Sequence, residues 1–153
     1  MVGRSLYTYW RRTVPPPTMM AFNAAARETC IVRTDLTTTP LQALTMMNNI
    51  IFVEASHHLA ERVLTPENRT HQQRIADAFR RVTSRAPRQD ETDLLLADLE
   101  AYRQDFAADP AAAKQLLAVG EKPNARGLDP AELAAYTLVA NTILNLDEAI
   151  TAN

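Results

Sequence analysis

Apolar residues recur along most of this chain at three- and four-residue spacing, and the breaks in that period mark its elements. Ile75, Phe79 and Val82 stand at i, i+4 and i+7, the stripe of a half-buried helix. Leu95, Leu99, Tyr102 and Phe106 form the next stripe, with Asp90, Glu91 and Asp93 early in the helix, where its dipole favours negative charge. Leu133, Tyr136, Ala140, Ile143 and Leu144 form a third, running toward Leu146. The starts are equally legible. Thr37-Thr38-Thr39-Pro40 offers hydroxyl acceptors and then a proline that loses no needed donor, Thr70 with Gln73 has capping-box spacing, and Asp109-Pro110 opens a short Ala-rich helix. Asp129-Pro130-Ala131-Glu132 is both an N-cap and a capping box.

The stops follow from residues that cannot continue a helix. Asn48-Asn49 breaks or bends the chain between a helix carrying Leu41, Leu44 and Met47 and a second helix from about Ile51 to Leu64. Pro87 interrupts the next pair, and Gly120 supplies a left-handed C-terminal turn after Val119. Glu121–Leu128, with Pro123, Asn124 and Gly127, reads as a surface loop.

Residues 1–39 follow a different rule. Leu6-Tyr7-Thr8-Tyr9-Trp10 favours a short strand, with Thr29–Arg33 as a poor partner, and Pro15-Pro16-Pro17 makes a stiff connector between them. Met19 to Arg27 has room for a helical turn or two anchored by Met19, Met20 and Phe22. The fold this predicts is mainly α: one domain over 1–153, a bundle of five or six helices over 40–153. An irregular, Arg-, aromatic- and Pro-rich N-terminal segment over 1–39 contains one or two short strands.

Composition sharpens this only in places. Hydrophobic residues at 46% with charged residues at 22% match a globular chain and argue against wholesale disorder. Net charge is −2, but residues 1–35 hold five arginines against Glu28 and Asp35, so a basic head sits on an acidic body. Without interleaved lysines or repeated aromatics, that head is a poor nucleic-acid footprint, and pairing with carboxylates is the simpler use for it. No run is long and apolar enough for a membrane span, and Met1-Val2-Gly3-Arg4-Ser5 opens no secretory signal. The chain begins abruptly on a structured pattern, which suggests that residue 1 is an internal position of a longer protein.

Candidate chemistry concentrates in the head. Arg4, Arg11, Arg12 and Arg33 are candidates to clamp an anion, and Tyr7, Tyr9 and Trp10 to stack on a sugar or base; ion pairing and core packing are the competing uses. Cys30, the single cysteine, excludes an internal disulfide; Arg27 and Arg33 would favour its thiolate, against its ordinary packing as a small apolar residue. His57 and His58, neighbours on a helix, point about 100° apart and read as surface or partly packed residues rather than metal ligands. His71 reads as a solvated residue at a helix start. Glu54 and Glu61 lie about 10 Å apart along one helix, near the upper end of the separation in inverting glycosidases, although acidic pairs at this spacing are ordinary on solvated faces. Asn68-Arg69-Thr70 matches a glycosylation acceptor, a pattern too short to carry weight. There is no C-x-x-C-H, so the segment attaches no c-type haem of its own, and neither metal nor cofactor is expected in it.

Spaced motifs carry a resemblance. R-S-L-Y-T-Y-W-R-R-T-V-P-P-P, M-A-F-N-A, E-T-C-I-V-R, T-T-T-P-L-Q-A-L-T-M-M-N, L-L-A-V-G-E, L-D-P-A-E-L-A-A-Y-T and N-L-D-E-A-I, in that order, resemble the C-terminal part of the planctomycete-type PSD family. That is a domain of unknown function in large proteins that often also carry a cytochrome-c-like domain. The family's usual F-D-A-P stands here as Phe22-Asn23-Ala24-Ala25, and its N-D-P as Asn48-Asn49-Ile50. A catalytic or metal-binding role for either aspartate in relatives would not transfer to an amide. The resemblance implies an exported, periplasmic or cell-envelope protein of which this is the C-terminal portion. Its implied partners are the missing N-terminal part of the same domain and a c-type cytochrome domain. Three readings follow. In the first, the chain is a non-catalytic helical module whose aromatic, arginine-flanked head docks on the rest of the protein, leaving an apolar surface around Leu6, Tyr9, Trp10, Met19 and Met20 open in the isolated chain. In the second it is part of an enzyme acting on a sugar or anionic polymer, with Arg4, Arg33 and a carboxylate converging in a pocket. In the third it is an electron-transfer accessory that places His57 or His58 near a haem.

Overall fold

The computed structural model describes residues 9, 15–24, 39–120 and 127–150, and every regular element among them is helical. In chain order these are α1 (Pro17–Ala21), α2 (Pro40–Asn48), α3 (Ile50–Leu64), α4 (His71–Thr83), α5 (Gln89–Ala108), α6 (Pro110–Leu117), α7 (Pro130–Leu144) and α8 (Asp147–Ile150). The mainly helical expectation holds. Two single-turn pieces, α1 and α8, raise the number among the described residues above the five or six expected. Met19 and Met20 fall in α1, which ends at Ala21. No described residue is in a strand. Thr29–Arg33 and most of Leu6–Trp10 lie outside the described residues, and Tyr9, the described member of that stretch, is not in one.

The centre is α7. Leu133, Ala134, Ala135, Tyr136, Thr137, Val139, Ala140 and Ile143 are all buried, which leaves almost no polar side. A helix apolar all round has to be surrounded. It touches α2, α3, α4, α5, α6 and α8, and its small residues Ala134 and Ala135, both wholly buried, let neighbouring backbones come close. The stripe read from sequence was thus too narrow: Ala134, Ala135, Thr137 and Val139 are buried as well. Onto α7 pack Ala60, Val63 and Leu64 of α3, Ile75, Ala78 and Phe79 of α4, and Leu95, Leu99 and Phe106 of α5, with Ala113 and Leu117 of α6, in one cluster.

The helix starts follow the sequence signals with one difference. Thr39 and Thr70 each accept from the backbone N–H three residues on, while Gln42 and Gln73 reach back to the cap N–H. Asp109 accepts from the N–H groups of Ala111 and Ala112. Asp129 accepts from Glu132 N–H at 2.9 Å, but the reciprocal half of that capping box is not made. Glu132 turns instead to Arg74 of α4, 3.4 Å away, because a cation on the neighbouring helix offers a carboxylate more than a neutral amide does.

One charged clamp closes the C-terminal end. Arg85, in the turn after α4, donates to both oxygens of Glu91 at 2.7 and 2.9 Å and to both of Glu148 at 2.6 and 2.7 Å, while its guanidinium lies 4.8 Å from the centre of the Phe79 ring. The Arg85 hydrogen bonds, with a further one from Arg88 N–H, hold the Glu91 carboxyl down to about 2, and Arg85 lowers Glu148 too. The clamp ties α8 to the α4–α5 corner.

If α7 is the spine, truncating it costs far more than truncating the surface. Ile143→Ala, at a wholly buried position, should lower unfolding free energy by about 2–5 kcal/mol in urea titrations. Leu94→Ala, on the exposed side of α5, should change it by about 0.5 kcal/mol or less. Equal losses would contradict this packing.

Candidate functional site

Most apolar side chains of α2 are turned away from the core. The helix contains no charged residue, its buried residues are Gln42 and Met46, and Leu41, Leu44 and Met47 on its other side are each more than half exposed. Gln42, buried, accepts from the cap N–H of Thr39 at 2.8 Å, and at 100° per residue Leu41, Leu44 and Met47 fall on the arc opposite Gln42 and Met46. Asn49 then ends α2 and starts α3, accepting from Ile51 N–H at 2.9 Å and donating to the Thr18 hydroxyl at 3.4 Å. Ile50 and Ile51, just past that corner, are more than half exposed, as is Met20 of α1. Phe22 and Phe52 meet at 5.9 Å and join α1 to this corner. The whole stretch Pro40–Val53 carries no charge. Exposed large apolar residues are ordinary singly; here five stand on consecutive turns around one corner.

Further along α3, two histidines and two carboxylates come together. His57 Nε2 is 3.4 Å from Glu61 Oε1, His58 Nδ1 is 3.0 Å from Glu61 Oε2, and His58 Nε2 is 3.9 Å from Glu54 Oε1, with the imidazoles stacked at 5.6 Å. His57 and Glu54 are buried and His58 is partly so. The solvated-face expectation for Glu54 and Glu61 is therefore corrected: α3 lies between α2, α4 and α7, so even its polar positions are covered. Glu54 packs on Gly120, whose φ of +110° favours glycine and where an added Cβ would lie 3.1 Å from Glu54 Cγ. Glu61 faces the two histidines with different oxygens, and His58 faces the two carboxylates with different nitrogens. Consistent with that, no group of three or more His, Cys, Asp or Glu among the described residues is arranged to hold a metal ion. Burial pulls the His57 imidazole below its ordinary value; Glu61 opposes this, and His58 adds to it.

Two other polar features resolve into structural roles. A groove of about 300 Å³ between α5 and α7 is lined by Glu100, Arg103, Gln104, Asp129 and Glu132. Its charges are already engaged: Arg103 with Glu100 at 3.2 Å, Glu132 with Arg74, and Asp129 as a helix cap. His71, expected to be solvated, instead lies 2.7 Å from the hydroxyl of Tyr136, with which it shares a hydrogen bond. The need to satisfy that buried phenol explains the difference. Burial also raises the Tyr136 phenol above its ordinary value.

Of the residues proposed from sequence, Arg4, Tyr7, Trp10, Arg11, Arg12, Cys30 and Arg33 lie outside the described residues. Tyr9 is 80% exposed, so the core-packing expectation does not apply to it. The reading that no carboxylate four residues away completes a face with His57 or His58 is corrected by the clustering of Glu54, His57, His58 and Glu61. The signal was there: Glu54 stands four before His58 and Glu61 four after His57, one turn apart in each case.

Residues 1–99 match the family PSD1, described as a protein of unknown function (DUF1553). This chain belongs to that family. No curated protein and no solved structure matches it. The matched stretch includes the exposed α1–α2–α3 corner and the His–Glu cluster and ends inside α5, whereas α7 lies beyond it. Asn49 and Asn23 both sit at helix boundaries. Asn49 is the N-cap of α3, a position asparagine and aspartate fill equally well, and Asn23 follows α1 with φ of +53°, which both tolerate.

His57 gives a pH test. Its folded value is depressed, so its contribution to stability is complete above the unfolded value of roughly 6.5 and is lost as pH falls through the lower folded value. Between about pH 7.5 and about pH 5, the urea midpoint of the wild-type chain should fall further than that of His57→Gln. Parallel falls would contradict a buried neutral imidazole.

Proposed function

We propose that this chain is a non-catalytic helical module of a larger exported cell-envelope protein, and that its α1–α2–α3 corner packs against the rest of that protein. The observation that carries the reading is the inversion of α2, which buries a glutamine and presents Leu41, Leu44 and Met47 outward beside Ile50 and Ile51. A solvated helix with this pattern exposes apolar surface that a covering element would remove from water, at about 25 cal/mol per Å². Engagement of the groove charges in ion pairs and caps favours packing over catalysis. The envelope location and the larger protein rest on the resemblance of the motifs from Arg4 to Ile150. That same resemblance makes the missing N-terminal part of the domain the first partner and a c-type cytochrome domain a second.

The test is a double substitution, Leu41→Gln with Leu44→Gln, in the 153-residue chain. It should leave unfolding free energy within about 0.5 kcal/mol of wild type while reducing binding of an apolar-surface dye. A loss of about 2 kcal/mol or more would mean that these side chains are already covered by their own chain, and would overturn the reading.

A further inference from the structure

We infer that the pit where α2, α3, α5, α6 and α7 meet is a binding site for a small neutral molecule: one ring carrying a hydroxyl, of the size and polarity of a phenol. The pit holds about 210 Å³. That is more than the roughly 150 Å³ of an apolar cavity that takes up benzene, and less than the roughly 300–1,000 Å³ of sites that enclose drug-sized molecules. One ring with a substituent fits; a nucleotide or a long chain does not.

The lining chemistry narrows the class. Met47, Val53, Leu116 and Leu138 supply apolar walls, and none of the residues that line the pit is charged. A carboxylate or an amine would give up its hydration there and meet no counter-charge. The polar lining residues divide in two. The hydroxyls of Thr137 and Thr142 donate to Leu133 and Leu138 C=O, at 2.8 and 3.2 Å, so their protons are committed to their own helix. The Asn141 side-chain amide and the Tyr102 hydroxyl take no hydrogen-bond partner among the described residues. Standing on two helices packed against each other, α7 and α5, they offer the pit both donors and acceptors. A hydroxyl on the ligand is itself donor and acceptor and answers either group. A bare hydrocarbon ring would strip water from both and return nothing. The pit is also separate from most of the exposed ridge on α2, since Leu41 and Leu44 do not line it.

Amide NMR of the 153-residue chain, titrated separately with phenol, toluene and benzoate, tests the site. Phenol should shift the amides of Tyr102, Leu138 and Asn141 along one saturable curve, toluene should bind at the same place about threefold or more weakly, and benzoate should leave those amides unmoved. Tyr102→Phe and Asn141→Leu each remove a hydrogen-bonding group and should bring the affinity for phenol down towards that for toluene. Tyr102→Phe deletes a single oxygen atom and carries the test if Asn141→Leu does not fold. Shifts that never saturate, or that centre on Leu41 and Leu44, would overturn the site. Toluene or benzoate binding as tightly as phenol, or a preference for phenol that survives both substitutions, would overturn the assigned ligand class and the proposal with it.

Discussion

The constraint on which the rest of this structure depends is a helix with almost no polar side. α7 carries one charged residue, Glu132, and buries eight others from Leu133 to Ile143. Such a helix is stable in water only when covered on every side, so α3, α4, α5 and α6 have to be arranged around it. Its few polar groups are satisfied internally: Thr137 donates to its own helix, at Leu133 C=O, and Tyr136 shares a hydrogen bond with His71. The Glu132–Arg74 pair replaces half of a capping box for the same reason, since it binds α7 to α4.

The outward face of α2 follows from the same arrangement. Once α3 to α6 surround α7, α2 meets the core through only its narrow inner side, where Met46 packs and Gln42 is used up by the cap. Its larger apolar side has nothing in the described chain to rest on. The family match reaches across this corner but stops within α5, so the portion bearing the proposed contact surface is matched while its central support, α7, lies outside the match.

Much of the helical architecture was legible because its signals are local. Caps at Thr39, Thr70, Asp109 and Asp129, the Asn48-Asn49 break and the turn at Gly120 each depend on a few neighbouring residues and stand where the sequence puts them. What sequence did not reveal depends on tertiary placement. Periodicity marks one face of α7 and cannot say that the alanines between are covered too. Leu41, Leu44 and Met47 share an apolar stripe, and only the placement of α2, with Gln42 and Met46 inward, turns it outward. The expected apolar opening was placed at Leu6, Tyr9, Trp10, Met19 and Met20; Met20 and Tyr9 are exposed, but the larger part of the described apolar surface belongs to α2 and the start of α3.

The central claim is that α7 is fully enclosed while α2 is held on one side only. Native-state hydrogen exchange, read at single amides in the isolated chain, tests it most directly. The account predicts that amides from Tyr136 to Ile143 exchange only through global unfolding, whereas those from Leu44 to Asn48 exchange through local opening at a fraction of that free energy. Protection of α2 equal to that of α7 would contradict it.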